Sequence, residues 1–202
     1  MPRPPRLAAD APPRERLLET AIDLLRRSGL SGAGINEIVR ESGAPKGSVY
    51  HHFPGGKPQI VDEALARHSD RVLAFIEAAL ARGDDPAARV RSLFLAFAER
   101  LDAAHYDRSC PAGTCALDLD EGWAGLQERL GSLFDDWVAL IDRQLGFADA
   151  KRSRAFAGLV LTAIEGAYVR GRAERSSKAF REAGEWLAEL AGARPAHRAR
   201  PR

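Results

Sequence analysis

Apolar residues recur along this chain with the period of an α-helix. Near the N-terminus, five of them occupy positions i, i+1, i+4, i+7 and i+8 of one stripe: Leu17, Leu18, Ala21, Leu24 and Leu25. This spacing places all five on one face of an amphipathic helix. No stretch of useful length alternates between apolar and polar residues as a strand would. The pattern therefore predicts an all-α protein.

Glycine and proline residues divide the chain into nine predicted helices. Their approximate spans are residues 14–28, 35–41, 45–52, 57–81, 87–104, 116–120, 122–145, 150–174 and 178–190. Gly29 is expected to end the first helix, and Ser177 is expected to cap the start of the last one. Pro111 and Gly113 indicate an irregular segment between the fifth and sixth helices.

Four segments follow from these breaks. Residues 1–13 contain five prolines and are expected to form a disordered arm. Residues 14–56 hold the three short N-terminal helices, and residues 57–192 hold the remaining six. The last segment, residues 193–202, carries four arginines and no acidic residue, so we predict a basic, disordered tail.

The composition is typical of a globular protein. Of the 202 residues, 45% are hydrophobic and 29% are charged, which permits a proper core and argues against a membrane protein. No run of about 20 apolar residues occurs, and the N-terminus lacks the apolar segment of a secretory signal. A cytoplasmic location is therefore expected.

Charge alone does not identify a partner, because the formal net charge is only +2. The distribution of charge is slightly more informative. Residues 1–57 carry nine basic and six acidic side chains. A basic surface at one end of the chain suits docking on DNA phosphates.

An enzyme, a metal site and a cofactor site find little support in the sequence. The adjacent His51 and His52 point in different directions on a helix, and no Cys or carboxylate is placed to complete a metal site with them. Two cysteines are too few for a disulfide framework. We therefore predict no catalytic residue, no metal and no cofactor.

The stretch from Gly43 to Lys57 has an unusual composition for a buried helix. Pro45 suits a first helical turn, and Pro54-Gly55-Gly56 ends the helix after roughly two turns. Val49 and Phe53 are four residues apart and can both point to a core. The other side chains are mainly hydrogen-bond donors, namely Lys46, Ser48, Tyr50, His51 and His52.

A preceding helix completes the pattern. Ile35, Ile38 and Val39 form one apolar face, and Gly43-Ala44 leaves only a tight turn before the donor-rich helix. Helix, short turn and helix is the helix-turn-helix arrangement, whose second helix enters the DNA major groove. A surface hairpin of two helices without a role in DNA binding is the alternative interpretation.

These residues closely resemble the DNA-binding domain of TetR-type transcriptional regulators. The matching positions extend over about residues 14–60 and are Gly29-Leu30, Ile35-x-x-Ile38, Gly43 through Phe53, and Lys57. The Pro54-Gly55-Gly56-Lys57 sequence and the segment from Ser109 to Leu117 are similar to the LmrA/YxaF-like subgroup. The TetR pattern usually has Ser or Thr before its second helix, where this chain has Gly34, so we expect a poorer helix cap.

We predict six DNA-binding residues within this region: Lys46, Gly47, Ser48, Tyr50, His51 and Lys57. Lys46 and Ser48 would reach base edges or phosphates, and Gly47 would let the backbone approach DNA closely. Tyr50 and His51 would bond phosphates. Lys57 would add positive charge to the N-terminus of the fourth helix.

The resemblance also implies that the C-terminal helices bind a small effector and form a homodimer. Regulators of this type generally lose DNA affinity when the effector binds, and the subgroup is associated with flat aromatic molecules. We predict dimerisation through the last two helices, because the eighth is rich in alanine and glycine, which permit close approach. Repression is the default expectation.

Eight residues are candidates for the effector site: Phe94, Phe97, Cys110, Trp123, Phe134, Trp137, Glu165 and Tyr168. Glu165 and Tyr168 are three residues apart and share a helix face. The alternative is that the aromatic residues form the core and that Glu165 makes a structural hydrogen bond. A different alternative is a thiol-redox-sensing regulator, in which Cys110 and Cys115 respond to oxidation.

Overall fold

The computed structural model describes residues 11–45 and 47–193. Within these residues the chain forms nine α-helices, one 3₁₀ turn and no β-strand. The helices are α1 (Pro13–Gly32), α2 (Ile35–Ser42), α3 (Ser48–His52), α4 (Gly56–Leu80), α5 (Pro86–Ala103), α6 (Pro111–Leu117), α7 (Ala124–Leu145), α8 (Ala150–Glu174) and α9 (Lys178–Gly192), with the 3₁₀ turn at Glu121–Trp123. The prediction of an all-α fold with nine helices is confirmed. In this part of the chain, no helix is both long and apolar enough to cross a membrane.

Several predicted features lie outside the described residues. These are Lys46, the first ten residues of the predicted arm, and the predicted basic tail beyond Ala193. The end of the predicted arm is different, because Pro13 already belongs to α1, as the proline of its first turn.

The chain divides into two compact units. The first unit comprises the residues up to Ala74 together with Ala104–Trp137, and the second comprises Phe75–Ala103 together with the residues from Val138 onward. The boundaries between the units therefore lie inside α4 and α7. The functional boundary between residues 56 and 57 is a different division of the chain, and it stays a prediction.

Helix α1 is longer than expected and is kinked. Gly29 has φ 64° and ψ −162°, and helical backbone resumes after it as far as Gly32. Residues with a Cβ rarely adopt this conformation. Gly29 therefore interrupts the first helix at the predicted position, but it does not end it.

Two helices begin at residues other than the predicted ones. Helix α3 begins at Ser48 and not at Pro45, because the Ser48 N–H and hydroxyl both donate to the Pro45 carbonyl, at 2.9 Å and 2.6 Å, and close a separate turn. Helix α6 covers Pro111–Leu117 and not residues 116–120. The prediction of an irregular segment around Pro111 is wrong, because a proline in the first turn of a helix leaves no N–H unsatisfied.

Ser177 precedes α9 as predicted, but its side chain does not cap that helix. The hydroxyl donates instead to Asp102 Oδ2 at 3.0 Å, and Arg181 donates to the same oxygen at 3.2 Å. The serine therefore links the start of α9 to α5 within the second unit.

The first unit has the core that the sequence predicts for its N-terminal helices. All five residues of the α1 stripe are buried, and Val49 and Phe53 are both 0% exposed. Their predicted core positions are confirmed. Burial of a side chain of this size contributes about 1.5–3 kcal/mol. That contribution holds α3 in place, since a five-residue helix would not persist alone.

The second unit is built on the packing of α5, α8 and α9. Phe180 of α9 lies 6.0 Å from Phe97 of α5 and 5.0 Å from Tyr168 of α8, measured between ring centroids. Gly184 lets α9 approach α5 closely, because a Cβ on this glycine would lie 2.5 Å from the Cβ of Phe94. An aromatic cluster therefore occupies the centre of this unit.

Candidate nucleic-acid interface

Helix α3 presents polar side chains to solvent while its two apolar residues are buried. Tyr50 is 63% exposed, and His51 is also exposed. On the buried side, the Arg14 guanidinium lies 5.1 Å from the centroid of the Phe53 ring, in a cation–π arrangement. Phe53 thus joins the end of α3 to α1, and the donor-rich face is left free for a partner.

The turn between α2 and α3 is fixed by two adjacent residues. Gly43 has φ 63° and donates its N–H to the Val39 carbonyl at 3.1 Å, which ends α2 in a left-handed cap. The buried Ser42 hydroxyl donates to the same carbonyl at 3.1 Å and accepts the Ala44 N–H at 3.2 Å. The sequence analysis missed Ser42, although a serine before a helix-ending glycine is a signal for such a turn.

The start of α2 has no side-chain cap. Gly34 has φ −69° and ψ 150° and makes no side-chain hydrogen bond to the helix. A Cβ on this glycine would meet no atom within 4 Å. The expectation of a poorer cap at Gly34 is therefore confirmed.

The predicted DNA-binding residues before α3 have different surroundings. Gly47 is exposed, and a Cβ on it would meet no atom within 4 Å. Ser48 uses its hydroxyl proton for the Pro45 carbonyl, so only the lone pairs of its oxygen remain for another partner. Lys46 lies outside the described residues.

Lys57 is engaged within the first unit. Its Nζ donates to the Leu30 carbonyl at 2.7 Å and lies 5.4 Å from the centroid of the Trp123 ring. The side chain therefore connects the first turn of α4 to the region after the α1 kink. Trp123, a candidate effector residue, has this ammonium group over its ring.

Ion pairs between α1 and α4 attach the helix-turn-helix to the rest of the first unit. Arg67 donates to Glu15 at 3.1 Å and to Glu19 at 3.4 Å. Arg71 donates to both oxygens of Glu19, at 2.8 Å and 2.5 Å. The hydrogen bond from Arg67 lowers the pKa of Glu15, and the bond from Arg71 lowers the pKa of Glu19. Because α1 packs against α2 and α3, these pairs also position the interface.

The variant Glu19→Gln is expected to be less stable than the wild type at neutral pH and to lose less stability in acid. In the folded chain the pKa of Glu19 lies below its ordinary value of 4.5, so the unfolded state takes up a proton first as the pH falls. The stabilisation is therefore complete well above that ordinary value and is lost as the pH falls through the lowered pKa.

Thermal unfolding followed by circular dichroism between about pH 7 and about pH 3 tests this expectation. The Tm values of wild type and Glu19→Gln should converge toward the acid end. Glu77→Gln, which changes an exposed glutamate of α4, is the matched control and should follow the wild type throughout. A constant difference in Tm between Glu19→Gln and wild type at every pH would contradict the argument.

The eight candidate effector residues are divided between the two units. The first unit contains Cys110, Trp123, Phe134 and Trp137, and the second contains Phe94, Phe97, Glu165 and Tyr168. Within the first unit, Trp137 lies 5.5 Å from Phe134 between ring centroids. Its indole N–H donates to the buried Ser69 hydroxyl at 2.9 Å.

The candidates in the second unit are packed to different degrees. Phe94 and Phe97 are at most 5% exposed and contact Phe180, as core residues do. Tyr168 is 6% exposed and meets the ring of Phe97 edge to face at 6.0 Å. Glu165 is half-buried. The assignment of these residues to an effector site stays a prediction.

Both cysteines are free thiols in buried positions. Cys115 is 0% exposed, and burial is the main cause that raises its pKa to about 12. Because the thiolate is the species that oxidants attack, this environment argues against Cys115 as a redox sensor. Across the described residues, no group of three or more His, Cys, Asp or Glu side chains could hold a metal ion.

Two family models match the chain. Residues 17–64 match the bacterial regulatory proteins of the TetR family, and residues 86–186 match the C-terminal domain of LmrA/YxaF-like transcriptional regulators. The first match includes α2, α3 and the turn between them. The second begins with α5 and ends within α9.

Individual relatives agree with these matches. The uncharacterized HTH-type transcriptional regulator YxaF of Bacillus subtilis is 31% identical over 156 residues, which are 76% of this chain and 81% of that protein. The HTH-type transcriptional regulator LmrA of the same organism is 30% identical over 142 residues, which are 70% and 76% of the two chains.

A solved structure of the TetR-family regulator CifR shares the fold. This cysteine mutant, complexed with 26-bp double-strand operator DNA, superposes with a TM-score of 0.76 at 18% identity, over 93% of this chain and 98% of that chain. The family matches and the YxaF relative confirm the predicted family and subgroup. The chain belongs to the TetR family, with a C-terminal domain of the LmrA/YxaF-like type, and is a DNA-binding transcriptional regulator, not an enzyme.

Proposed function

We propose that this regulator is a repressor that binds its operator as a homodimer and is released by a small aromatic effector. The observation that carries DNA contact by α3 is the burial of its two apolar residues beneath an exposed donor face. Val49 and Phe53 are 0% exposed, whereas Tyr50 is 63% exposed. A short, rigid helix of this kind can enter a major groove about 12 Å wide.

Five residues of this region are proposed as DNA contacts: Lys46, Gly47, Ser48, Tyr50 and His51. Tyr50 and His51 are exposed and suit phosphate contacts, which fix the register of a protein on DNA. Ser48 suits a donor on DNA, because its own hydroxyl proton is used within the turn. An open Gly47 allows the DNA backbone to approach.

A homodimer is supported by an exposed stripe on α8. Residues at spacings of three and four along this helix are all exposed and are small or apolar or carry a hydroxyl: Ala155, Leu159, Thr162, Gly166, Val169 and Ala173. On α9, Trp186 and Leu190 are 69% and 52% exposed. A second copy of this chain is the proposed occupant, because one five-residue helix makes too few contacts and two-fold symmetry doubles them.

The effector proposal is centred on Phe134 and Trp137 in the first unit. Their edge-to-face rings can pack on a flat aromatic molecule. The Ser69 hydroxyl and the Trp137 indole N–H satisfy each other at 2.9 Å. An effector with a hydrogen-bonding group could exchange that bond for bonds of its own, which gives such a site polar selectivity in an apolar setting.

A gel-shift titration with the DNA upstream of this chain's own gene, at fixed salt, tests operator binding against an unrelated fragment. We expect a preference of at least about a hundredfold for the upstream DNA. Tyr50→Ala should weaken binding about tenfold, because a contact at the centre of the interface is lost. The matched control is Arg82→Ala, which removes an exposed cation after the end of α4 and should leave the affinity nearly unchanged.

Equal affinities of Tyr50→Ala and wild type would contradict the assignment of α3 as the DNA-contacting helix. The same assay then tests release, by adding flat aromatic compounds to the preformed complex. Trp137→Phe removes the indole N–H and should change the concentration needed for release while the affinity for DNA is kept. An effector response that is unchanged in Trp137→Phe would contradict the proposed effector site.

A further inference from the structure

The turn between α1 and α2 is held by side chains that are distant in the sequence. Lys57 Nζ donates to the Leu30 carbonyl at 2.7 Å, and Asp118 Oδ2 accepts the Ser31 N–H at 3.0 Å. Gly29 approaches the same carboxylate so closely that a Cβ on it would lie 2.3 Å from Oδ2. We call these five residues the α1–α2 clasp.

The segment that carries Asp118 is itself bonded to α1. The Thr114 hydroxyl donates to the Leu25 carbonyl at 2.7 Å, and the Ser109 N–H donates to the Arg26 carbonyl at 2.9 Å. A break in a helix leaves the carbonyl groups before it short of intrahelical partners. These donors supply partners just before the kink, so α6 holds the end of α1 on both sides of Gly29.

We propose that Lys57 and Asp118 are positioning residues for operator binding, and that Lys57 acts in the clasp and not as a phosphate ligand. Helices α2 and α3 follow this turn directly, so its backbone sets the direction in which they leave α1. The Trp123 ring, 5.4 Å from the Lys57 Nζ, restrains the ammonium group beside Leu30. The inference rests on the operator binding proposed above and identifies the contacts that orient the binding helices.

Simple electrostatics predicts different results from positioning. If charge alone mattered, removal of the negative Asp118 would strengthen binding to a polyanion. If Lys57 bound a phosphate, its removal would reduce the slope of log affinity against log salt by about 0.9. Positioning predicts weaker binding for both changes, with an unchanged salt slope.

The experiment measures operator affinity of the full chain by fluorescence anisotropy between about 50 mM and about 200 mM salt. The variants are Lys57→Gln, Asp118→Ala and Asp118→Asn, the last of which keeps an acceptor for the Ser31 N–H. We expect Lys57→Gln and Asp118→Ala to bind about fivefold more weakly, and Asp118→Asn to stay within about twofold of wild type. Circular dichroism at the assay temperature establishes that each variant is folded.

Three results would overturn the inference. They are a salt slope reduced by about 0.9 in Lys57→Gln, binding by Asp118→Ala as tight as or tighter than wild type, and a loss in Asp118→Asn equal to that in Asp118→Ala. If the wild type binds the operator specifically and these results occur, only the inference fails. If the wild type shows no preference for the operator, the proposed function fails and the inference with it.

Discussion

A chain carrying both Leu159→Glu and Val169→Glu is expected to be monomeric and to bind its operator at least about a hundredfold more weakly than wild type. Both residues lie on the exposed stripe of α8 and are 47% and 61% exposed. Two carboxylates buried against their symmetry copies would be desolvated and would repel each other. Without the dimer, the second α3 no longer contributes to the same DNA site.

Analytical ultracentrifugation gives the oligomeric state, and anisotropy with operator DNA gives the affinity. Leu95→Glu is the matched control, because Leu95 is a 42% exposed leucine on α5, outside the proposed interface. It should remain dimeric and bind normally. A double variant that stays dimeric would place the dimer interface elsewhere, and a monomer with wild-type affinity would show that one copy suffices for binding.

Gly29→Ala is expected to lower the free energy of unfolding by about 2–4 kcal/mol. The backbone of Gly29, at φ 64° and ψ −162°, is strained for any residue with a Cβ. The added methyl group would also lie 2.3 Å from Asp118 Oδ2, so the carboxylate must move away from Ser31. Both costs act on the folded state.

Urea unfolding followed by circular dichroism measures this loss. Gly47→Ala is the matched control, because Gly47 has φ −71° and ψ −16° and its Cβ position is open. Its stability should equal or slightly exceed that of wild type, since alanine restricts the unfolded chain. A Gly29→Ala chain as stable as Gly47→Ala would mean that the kink relaxes at little cost.

The sequence by itself determined the features that depend on local periodicity and local backbone chemistry. The stripe of α1 and the anchors Val49 and Phe53 could be predicted because residues three and four apart share a helix face in any helix. Glycine at position 29 and the uncapped start of α2 at Gly34 could be predicted for the same reason, since both depend on the residue's own conformational range. The family resemblance followed from these positions in fixed register.

Only the tertiary structure decided what each polar or aromatic side chain contacts. Ser177 bonds Asp102 and not the α9 backbone, and Lys57 bonds the Leu30 carbonyl, because partners distant in the sequence are brought close by packing. Phe97 lies against Phe180, whereas Trp137 bonds Ser69, although both are aromatic residues on apolar helix faces. Helical period indicates which side of a helix is buried, but the identity of the neighbour depends on how the helices pack together.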